Sequence, residues 1–401
     1  MIKTPKLRFK EFSGGWERVT LKQVTNGFEY GMNSASTEFD GVNKYIRITD
    51  IDENTSKYIN TNVVSPLGKL EDKYLVKEND ILFARTGAST GKTYLYDNKD
   101  GKLYFAGFLI RANVNSYNNS KFIFLQTKSG AYDKWVKVMS MRSGQPGINS
   151  QEYASYSFNA PSKEEQDKIA SFFSLIDDKI SLQDEKVEAL KDYKKGMMQK
   201  IFSRELRFKD DDGRDYPEWE EKKLDDLIKI KSNRNKNSVV ELVLSVSNTK
   251  GFITQSEQFE DRIVASSDIS NYKIVEKDDF AFNPARINVG SIARLKLYDK
   301  GIISPMYICF KCLNSLESDY LEYFLMTHSF DVQMKKKLEG SVRQTLSSEA
   351  LGEIVIDLPC LNEQKKIGEY LSTINDKLVK EQEKLDYLNE YKKGLLQQMF
   401  V

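Results

Sequence analysis

The chain has 401 residues, of which 40% are apolar and 11% aromatic, so it is too long for one ordinary domain and too apolar for wholesale disorder. The formal net charge of +1 excludes a uniformly basic nucleic-acid coat, so any nucleic-acid surface must be local. Three cysteines cannot pair completely and fit a reducing cytosol, and we expect a cytoplasmic protein with no signal peptide and no membrane span.

In chain order, a short entry segment is followed by a mixed stretch of strands and helices. Leu-Arg-Phe-Lys at residues 7–10 leads to Trp16. Residues 45–51 alternate apolar and polar side chains, which predicts a half-buried strand, and residues 80–84 predict a buried one. Residues 121–126 have the pattern of a short helix. The stretch is therefore predicted to be a mixed α and β domain.

Two polar, glycine-containing loops in this stretch are candidates for binding nucleic acid. Glycine lets the backbone approach a ligand closely. Arg, Lys, Asn and Gln make paired hydrogen bonds to base edges, while Ser and Thr hold phosphates. For any single residue, an ordinary surface position is the alternative. The candidate side chains are Arg85, Thr86, Ser89, Lys92, Arg142, Ser143, Gln145 and Asn149.

A long helix is predicted next, from residue 161 to residue 202. Its core positions recur at steps of four and three, which is the heptad seam of a coiled coil. At 1.5 Å per residue, the helix is roughly 55–60 Å long. Polar Gln183 and Lys194 interrupt the seam. The apolar seam positions are Ile169, Phe173, Ile176, Ile180, Val187 and Leu190.

The second half repeats this order around a different middle. Leu-Arg-Phe-Lys at residues 206–209 leads to Trp219. Residues 242–246 and 279–282 predict strands, and residues 320–326 predict a short helix. Two polar loops recur at the matching places. Their candidate side chains are Arg286, Asn288, Ser291, Arg343, Gln344 and Thr345.

The last predicted helix, residues 359–400, realigns on residues 161–202 with a constant offset of 198 and no gap. Its polar interruptions, Glu381 and Lys392, fall where the first helix has its own. Matching seams favour antiparallel packing of the two helices on each other. Packing into two unrelated cores, or pairing of each helix with a partner chain, are the alternatives. The apolar seam positions are Ile367, Leu371, Ile374, Leu378, Leu385 and Leu388.

The entry segments make the repeat circular. Leu-Arg-Phe after the first long helix has its counterpart at the beginning of the chain, not after the second helix. We therefore expect the N-terminal segment to lie near the C-terminus, and the molecule to have pseudo-two-fold symmetry. The predicted regions are a closing segment 1–16, a first domain 17–158, a central helical region 159–208, a second domain 209–356 and a C-terminal helical region 357–401.

The order of these features resembles the specificity subunit of type I restriction–modification systems, and the resemblance covers the whole chain. Its most specific marks are Pro-x-x-x-Glu-Gln at each helix entry, from Pro161 and from Pro359, and Tyr-Lys-Lys-Gly near each helix end. The resemblance implies an α+β fold. In that fold two mixed α/β target recognition domains are separated by a pair of long antiparallel helices, a coiled coil with a pseudo-two-fold circular repeat.

The resemblance also implies a function in bacterial defence. Each recognition domain of this family reads one half of a split site in double-stranded DNA, and the helices dock two modification subunits that methylate adenine with S-adenosylmethionine. Where restriction accompanies modification, restriction subunits that use ATP and Mg²⁺ join the complex. The chain itself is then expected to be non-catalytic and to hold no cofactor or metal.

Three motifs that could carry chemistry are weak. Residues 87–93 resemble a phosphate-binding loop but have glycines spaced one residue short. Cys309 and Cys312 leave too few further ligands for a structural zinc site. Residues 283–286 lack the second proline and the aromatic of an adenine methyltransferase motif. The rival functions are a metal-dependent nuclease, and a coiled-coil scaffold without sequence-selective DNA binding.

Overall fold

The computed structural model of the chain describes residues 4–258, 268–340 and 344–400. The chain divides into two compact units. Unit 1 comprises residues 1–184 and 383–401, and unit 2 comprises residues 185–382. Both boundaries fall inside the predicted long helices, so each unit holds one end of each helix. Within the described ranges, no helix combines the length and the apolar content needed to cross a bilayer.

Unit 1 is a mixed α/β body, as predicted. Its strands are β1 (Glu17–Thr20), β2 (Thr25–Tyr30), β3 (Ser36–Glu38), β4 (Lys44–Ile46), β5 (Val64–Pro66), β6 (Asp80–Ala84), β7 (Thr93–Leu95), β8 (Leu103–Phe105), β9 (Leu109–Val114) and β10 (Ser157–Ala160). Its helices are α1 (Leu21–Val24), α2 (Ser120–Gln126), α3 (Gly130–Met139), α4 (Ser150–Ser155), the first part of α5 (Lys163–Phe202) and the last part of α10 (Leu361–Met399). The main sheet is antiparallel in the order β2-β9-β6-β7, and β1 pairs with β10.

Strand β6 is buried on both faces, which explains its unbroken apolar run. Because successive side chains of a strand point to opposite faces, Ile81 and Phe83 pack into one cluster while Leu82 and Ala84 pack into another. All four side chains are fully buried. The strand predicted at residues 80–84 is confirmed.

The strand predicted at residues 45–51 is only partly correct. Strand β4 ends at Ile46, and a 3-10 turn covers Ile48–Asp50. The carboxylate of Asp50 accepts hydrogen bonds from the backbone amide and the guanidinium of Arg47 at 2.9 and 2.8 Å. This local bond competes with strand pairing and turns the chain away from the sheet.

Unit 2 is also a mixed α/β body. Its strands are β11 (Glu220–Lys223), β12 (Ile228–Lys231), β13 (Val243–Ser247), β14 (Gly251–Thr254), β15 (Lys273–Glu276), β16 (Phe280–Phe282), β17 (Ile292–Arg294), β18 (Lys300–Ile303), β19 (Ile308–Cys312) and β20 (Val355–Leu358). Its helices are the second part of α5, α6 (Gln255–Gln258), α7 (Ser318–Phe324), α8 (His328–Lys336), α9 (Ser348–Gly352) and the first part of α10 (Leu361–Met399). The predicted strands and helices of this half are confirmed.

The two units share one sheet plan. Strands β12-β19-β16-β17 of unit 2 follow the same antiparallel order as β2-β9-β6-β7 of unit 1, and β11 pairs with β20 as β1 pairs with β10. Strands β6 and β16 are entered through the same turn. The carboxylate of Asp80 accepts the amide of Lys77 at 2.8 Å, and that of Asp279 accepts the amide of Glu276 at 2.7 Å. The predicted similarity of the two domains is therefore confirmed.

A buried carboxylate joins each entry segment to the first turn of a long helix. In unit 1 the guanidinium of Arg8 donates two hydrogen bonds to Glu165, at 2.8 and 2.7 Å, and the indole N–H of Trp16 donates a third at 3.4 Å. In unit 2 Arg207 and Trp219 donate to Glu363 in the same way. We call each such set a clasp. The clasps explain why Leu-Arg-Phe, Trp and Glu-Gln recur together.

The glutamine after each clasp carboxylate ties the long helix to a short one. The side-chain amide of Gln166 donates to the carbonyl of Pro161 at 3.0 Å, and its oxygen accepts the amide of Asn119, which caps α2. Gln364 donates to the carbonyl of Pro359 at 2.8 Å and accepts the amide of Glu317, which precedes the first residue of α7, at 2.8 Å. The entry motif of each long helix is therefore structural.

The helix parts run antiparallel within each unit. In unit 1 an ion pair of 2.7 Å joins Asp177 to Lys392, and Phe173, earlier in α5, contacts Phe400, later along the chain. In unit 2 Lys186 pairs with Glu381 at 2.9 Å, and Tyr193 and Lys194 of α5 contact Tyr370 and Asn375 of α10. All twelve predicted seam side chains are buried or half-buried.

The circular repeat is visible in one backbone hydrogen bond. In unit 2 the amide of Leu206 donates to the carbonyl of Lys200, six residues earlier, at 3.0 Å. In unit 1 the amide of Leu7 donates to the carbonyl of Gln398 at 3.0 Å. Lys200 and Gln398 match at the offset of 198, and Leu206 and Leu7 are the equivalent leucines of the two entry segments. The N-terminal segment therefore lies against the end of α10, as predicted.

Candidate nucleic-acid interface

The first predicted loop of unit 1 is closed at the end of β6. We call residues 85–92 loop A. The amide of Ala84 donates to the carbonyl of Lys92 at 2.9 Å, and the amide of Gly91 donates back to the carbonyl of Ala84 at 3.0 Å. Gly87 has a φ of +70°, a left-handed conformation that glycine adopts without strain. Loop A is thus a compact projection from the sheet edge.

The second predicted loop, residues 142–149 or loop B, lies against loop A. The amide of Gly87 donates to the carbonyl of Pro146 at 3.0 Å, and the amide of Ile148 donates to the carbonyl of Arg85 at 2.9 Å. Thr86 and Gly147 form a backbone bridge. Two segments about fifty residues apart in the chain therefore form one polar surface.

Unit 2 builds the same arrangement from other residues. Its loop A, residues 283–291, follows β16 and contains a 3-10 turn that ends at Gly290, with a φ of +87°. The amide of Leu346, next to loop B of this unit, donates to the carbonyl of Pro284 at 3.1 Å. This bond matches the one from Ile148 to Arg85. Loop B of unit 2 is residues 340–345; residues 340, 344 and 345 are described, and Arg343 lies outside the described residues.

Several candidate side chains already have partners inside the protein. The guanidinium of Arg85 lies over the ring of Tyr30, 4.8 Å from its centroid. Lys92 pairs with Glu53 at 3.5 Å. Arg142 pairs with Glu152 and also donates to two backbone carbonyls. These three charged groups are therefore held in place by other parts of unit 1.

Two candidates have structural roles that the sequence did not reveal. The side chain of Asn149 accepts the amide of Glu152 at 2.9 Å and caps α4, as Ser347 caps α9 in unit 2. Ser291 is buried and donates to the carbonyl of Val246 at 3.2 Å. We therefore do not retain Asn149 and Ser291 as base readers.

The remaining candidates divide by exposure. Thr86, Ser89 and Thr345 are half-buried, and Thr345 is held by a backbone bridge to Glu339. The exposed candidates are those with the freedom to meet a base edge. They are Ser143, Gln145, Arg286, Asn288 and Gln344.

Three further side chains lie at this surface and were missed. Tyr30 is 43% exposed below Arg85, and its hydroxyl accepts the amide of Ser150 at 3.2 Å. Phe108 of unit 1 and Met306 of unit 2 are exposed in the turns that precede β9 and β19. Strand pairing alone brings these positions to the loops, and no motif in the sequence marks them.

Two of the three weak motifs have clear places in the fold. Residues 87–93 run into strand β7 rather than a helix, and the hydroxyl of Thr93 is buried 2.8 Å from that of Thr127. Burial raises the pKa of the Cys309 and Cys312 thiols to about 11, so both remain protonated. Among the described residues, no group of three or more His, Cys, Asp or Glu is placed to hold a metal ion.

Comparison with known proteins identifies the class that this fold and surface define. The family model described as the type I restriction modification DNA specificity domain matches residues 13–192 and again residues 216–389. The chain therefore belongs to that family and is a specificity subunit of type I restriction–modification systems. The double match corresponds to the two units with their helices.

One sequence relative and two solved structures are similar to this chain over most of its length. The MjaVIII type I restriction enzyme specificity subunit of Methanocaldococcus jannaschii is 24% identical over 363 residues, which cover 85% of this chain and 83% of that one. The crystal structure of a type I S subunit from M. genitalium superposes with a TM-score of 0.63 at 17% identity, over 100% and 99% of the two chains. A chain from a study of type I complex assembly and conformational transition matches with a TM-score of 0.53 at 16% identity, over 96% and 97%.

Proposed function

We propose that each unit contains one target recognition domain, residues 17–158 and residues 209–356, and that each domain reads one half of a split DNA site. One observation carries the proposal. In both units, two polar loops are joined by the same backbone bond at the same sheet edge, from Ile148 to Arg85 and from Leu346 to Pro284. The two units thus share the backbone arrangement of the loops, while the loop side chains differ. This combination suits two domains that both read DNA but recognise different base sequences.

The side chains divide into base readers and phosphate contacts. Exposed amides and guanidinium groups make the paired hydrogen bonds that distinguish bases, so we assign base reading to Gln145, Arg286, Asn288 and Gln344. Hydroxyls and positioned charges hold the backbone. To that role we assign Arg85, Thr86, Ser89, Lys92, Arg142, Ser143 and Thr345, and Arg343 is assigned from the sequence alone.

The helical regions, residues 159–208 and 357–401, are proposed to dock two modification subunits. Leu175 and Leu182 are 69% and 66% exposed on one face of α5 in unit 1, away from the seam. Such apolar side chains on a helix flank fit a protein partner. Leu175→Glu with Leu182→Glu should block assembly with the modification subunit, whereas Glu188→Ala on the other flank should not.

The chemistry is proposed to belong to the partners. The modification subunits bring S-adenosylmethionine and flip the adenine out of the stack, and restriction subunits, where present, bring ATP and Mg²⁺. The net charge of +1 predicts weak DNA binding by this chain alone, since phosphate neutralisation needs a basic surface. The subunit is then a non-catalytic guide that works in the cytoplasm.

Methylation mapping tests the proposal. DNA from cells that express this chain with its cognate modification subunit is compared with DNA from cells that express the modification subunit alone. A split motif methylated only in the first cells is the expected result. The contrary result is a complex that assembles, contains an active modification subunit and methylates no motif that depends on this chain. It would favour the alternative function, a coiled-coil scaffold without sequence-selective DNA binding.

A domain exchange tests the division of labour. Replacement of residues 17–158 by the matching segment of a relative should change one half of the methylated motif and leave the other half and the gap unchanged. The reciprocal exchange of residues 209–356 is the matched control. A change in both halves from a single exchange contradicts one reader per half-site.

A further inference from the structure

An exposed large apolar side chain occupies the same position in both units. Phe83 pairs with Ile110 in unit 1 as Phe282 pairs with Ile308 in unit 2. Two residues before Ile110 and Ile308 stand Phe108 and Met306, 60% and 52% exposed. Outside the long helices, no other pair of exposed large apolar side chains in the described ranges is separated by the repeat offset of 198.

Both side chains occupy the third position of a closed turn. In unit 1 the turn covers residues 106–109, Ala-Gly-Phe-Leu, and the last amide donates to the first carbonyl at 2.8 Å. In unit 2 it covers residues 304–307, Ser-Pro-Met-Tyr, with the same bond at 3.1 Å. Exposed turns favour Gly, Asn, Asp and Ser, and these two turns have no residue in common. A large apolar side chain at the same place in both is therefore unexpected from turn chemistry alone.

The turn of unit 1 is held firmly. The amide of Gly107 donates to the carbonyl of Met32 at 2.8 Å, and the amide of Ala106 donates to that of Ile46 at 3.0 Å. The carbonyl of Phe108 itself accepts the amide of Arg85 at 3.0 Å. With its backbone bonded on both sides, Phe108 is held at the surface by a rigid support.

The turn of unit 2 is anchored through its last residue. The hydroxyl of Tyr307 lies 3.1 Å from that of Ser245, and the carbonyl of Tyr307 accepts the ammonium of Lys273 at 2.6 Å. Met306 is thus held by different bonds in an equivalent turn. Pro284, which stands where unit 1 has Arg85, has no N–H with which to repeat the bond to the turn.

The two turns adjoin the candidate reading loops. Ala84 and Leu109, the last residue of β6 and the first of β9, pair directly, so loop A and the turn that carries Phe108 leave the sheet at one edge. Phe282 and Ile308 place loop A and the Met306 turn of unit 2 in the same relation. In each unit one large exposed apolar side chain on a hydrogen-bonded turn therefore stands beside the polar loops.

We propose that Phe108 and Met306 are wedges that insert into the base stack of DNA, one in each half-site. The proposal rests on the proposed function of the two units as DNA readers. Phe and Met are among the side chains that enter between base pairs, unstack one step and bend the duplex. A wedge adds selectivity without base hydrogen bonds, because pyrimidine–purine steps open more readily than others. Each half-site is therefore expected to contain such a step beside the bases read by loops A and B.

The test uses the complete complex of this chain with its modification subunits, and duplexes that contain the mapped motif. 2-Aminopurine, whose fluorescence rises on unstacking, replaces each purine in turn except the methylated adenine. Wild-type protein should brighten one position in each half-site. Phe108→Ala should abolish the signal in one half-site and weaken binding roughly tenfold. Met306→Ala should do the same in the other half-site, and Phe108→Met should retain the signal.

Tyr117→Ala is the matched control, since Tyr117 is 82% exposed in unit 1 but outside these turns and loops, and it should change neither quantity. Unchanged affinity and fluorescence in Phe108→Ala would overturn the wedge and leave the reading function intact. A groove contact to a thymine methyl group would give a different result. Phe108→Ala would then weaken binding as much as replacement of thymine by deoxyuridine does, and no 2-aminopurine position would brighten in the wild-type complex. That result would also overturn the wedge. Failure of the wild-type chain to direct methylation to any motif would overturn the proposed function itself.

Discussion

Removal of the clasp arginine of unit 1 should destabilise that unit strongly. Arg8→Ala deletes two charge-assisted hydrogen bonds to Glu165, whose side chain is only 2% exposed. The remaining donor, the indole of Trp16, is at 3.4 Å. The same hydrogen bonds raise the pKa of the Arg8 guanidinium, which agrees with a favourable pair. The variant therefore leaves a buried carboxylate with one long hydrogen bond.

The magnitude follows from burial. Breaking a buried ion pair on one side costs about 3–5 kcal/mol. Glu165 lies in the first turn of α5, where the helix dipole stabilises a carboxylate by about 1 kcal/mol. We therefore expect a loss of about 3 kcal/mol, which lowers the unfolding midpoint by roughly 6–12 °C. Arg8→Met with Glu165→Leu should recover at least half of it, because apolar replacement of a buried pair is often neutral.

Urea and thermal unfolding of the full chain, with hydrogen exchange to locate the loss in unit 1, measure the effect. Glu11→Ala is the control, because Glu11 and Lys168 form a pair at 3.4 Å in which both side chains are about half exposed. The unfolding midpoint of Glu11→Ala should not differ measurably from that of the wild-type chain. If Arg8→Ala lowers the free energy of unfolding by less than about 1 kcal/mol, the clasp does not hold the entry segment as we argue.

Three further predictions test other parts of the structure. Burial lowers the pKa of Lys128 to about 7, with repulsion from Lys392 adding to it. In the unfolded chain the ammonium of Lys128 keeps its proton to about pH 10. Between about pH 7 and pH 10, unfolding therefore takes up a proton. The free energy of unfolding should then rise from pH 7.5 to pH 9.5, by up to about 1.4 kcal/mol per pH unit. Urea titrations of Lys128→Met should lack that rise, and an unaltered slope contradicts the assignment. Asn149→Ala should cost about 1 kcal/mol in thermal unfolding, because the cap of α4 is lost, and should leave the methylated motif unchanged. A changed motif would restore Asn149 as a base reader. A circular permutant opened after Arg204, with residues 401 and 1 linked, should fold and direct methylation to the same motif, because Leu7 and Leu206 make the same bond. An insoluble chain, or a new motif, would count against equivalence of the two entry segments.

The sequence predicts the frame of the molecule, that is the two entry segments and the two long helices, because this part of the chain is repeated. The step pattern from Ile169 to Leu190 predicts a helix and its buried face, and the constant offset locates the second copy. The partners of the repeated Arg and Glu are not predictable in this way. Arg8 and Glu165 are 157 positions apart, and only the folded chain brings them together.

The candidate surface could be predicted only as segments. Composition predicts both the loop at Arg85 and the loop at Arg142, but the contact between them depends on the strand order in the sheet. Composition also cannot distinguish an exposed polar side chain from a cap such as Asn149 or a buried donor such as Ser291. No sequence pattern marks Phe108, because a local sequence does not give the exposure of a side chain.

Strands β1 and β10 have a consequence for how such proteins change. They form an antiparallel ladder that pairs Glu17 with Ala160 and, at its other end, Thr20 with Ser157. The inserted domain of unit 1 therefore begins and ends at the same two paired strands. Unit 2 has the same ladder, from Glu220 with Leu358 onward. The clasp lies just outside each ladder, with Trp16 immediately before β1 and Trp219 immediately before β11. Any domain whose two ends form this ladder can join the same clasp and long helices, so recombination between two such genes can replace one inserted domain without disturbing the rest of the molecule.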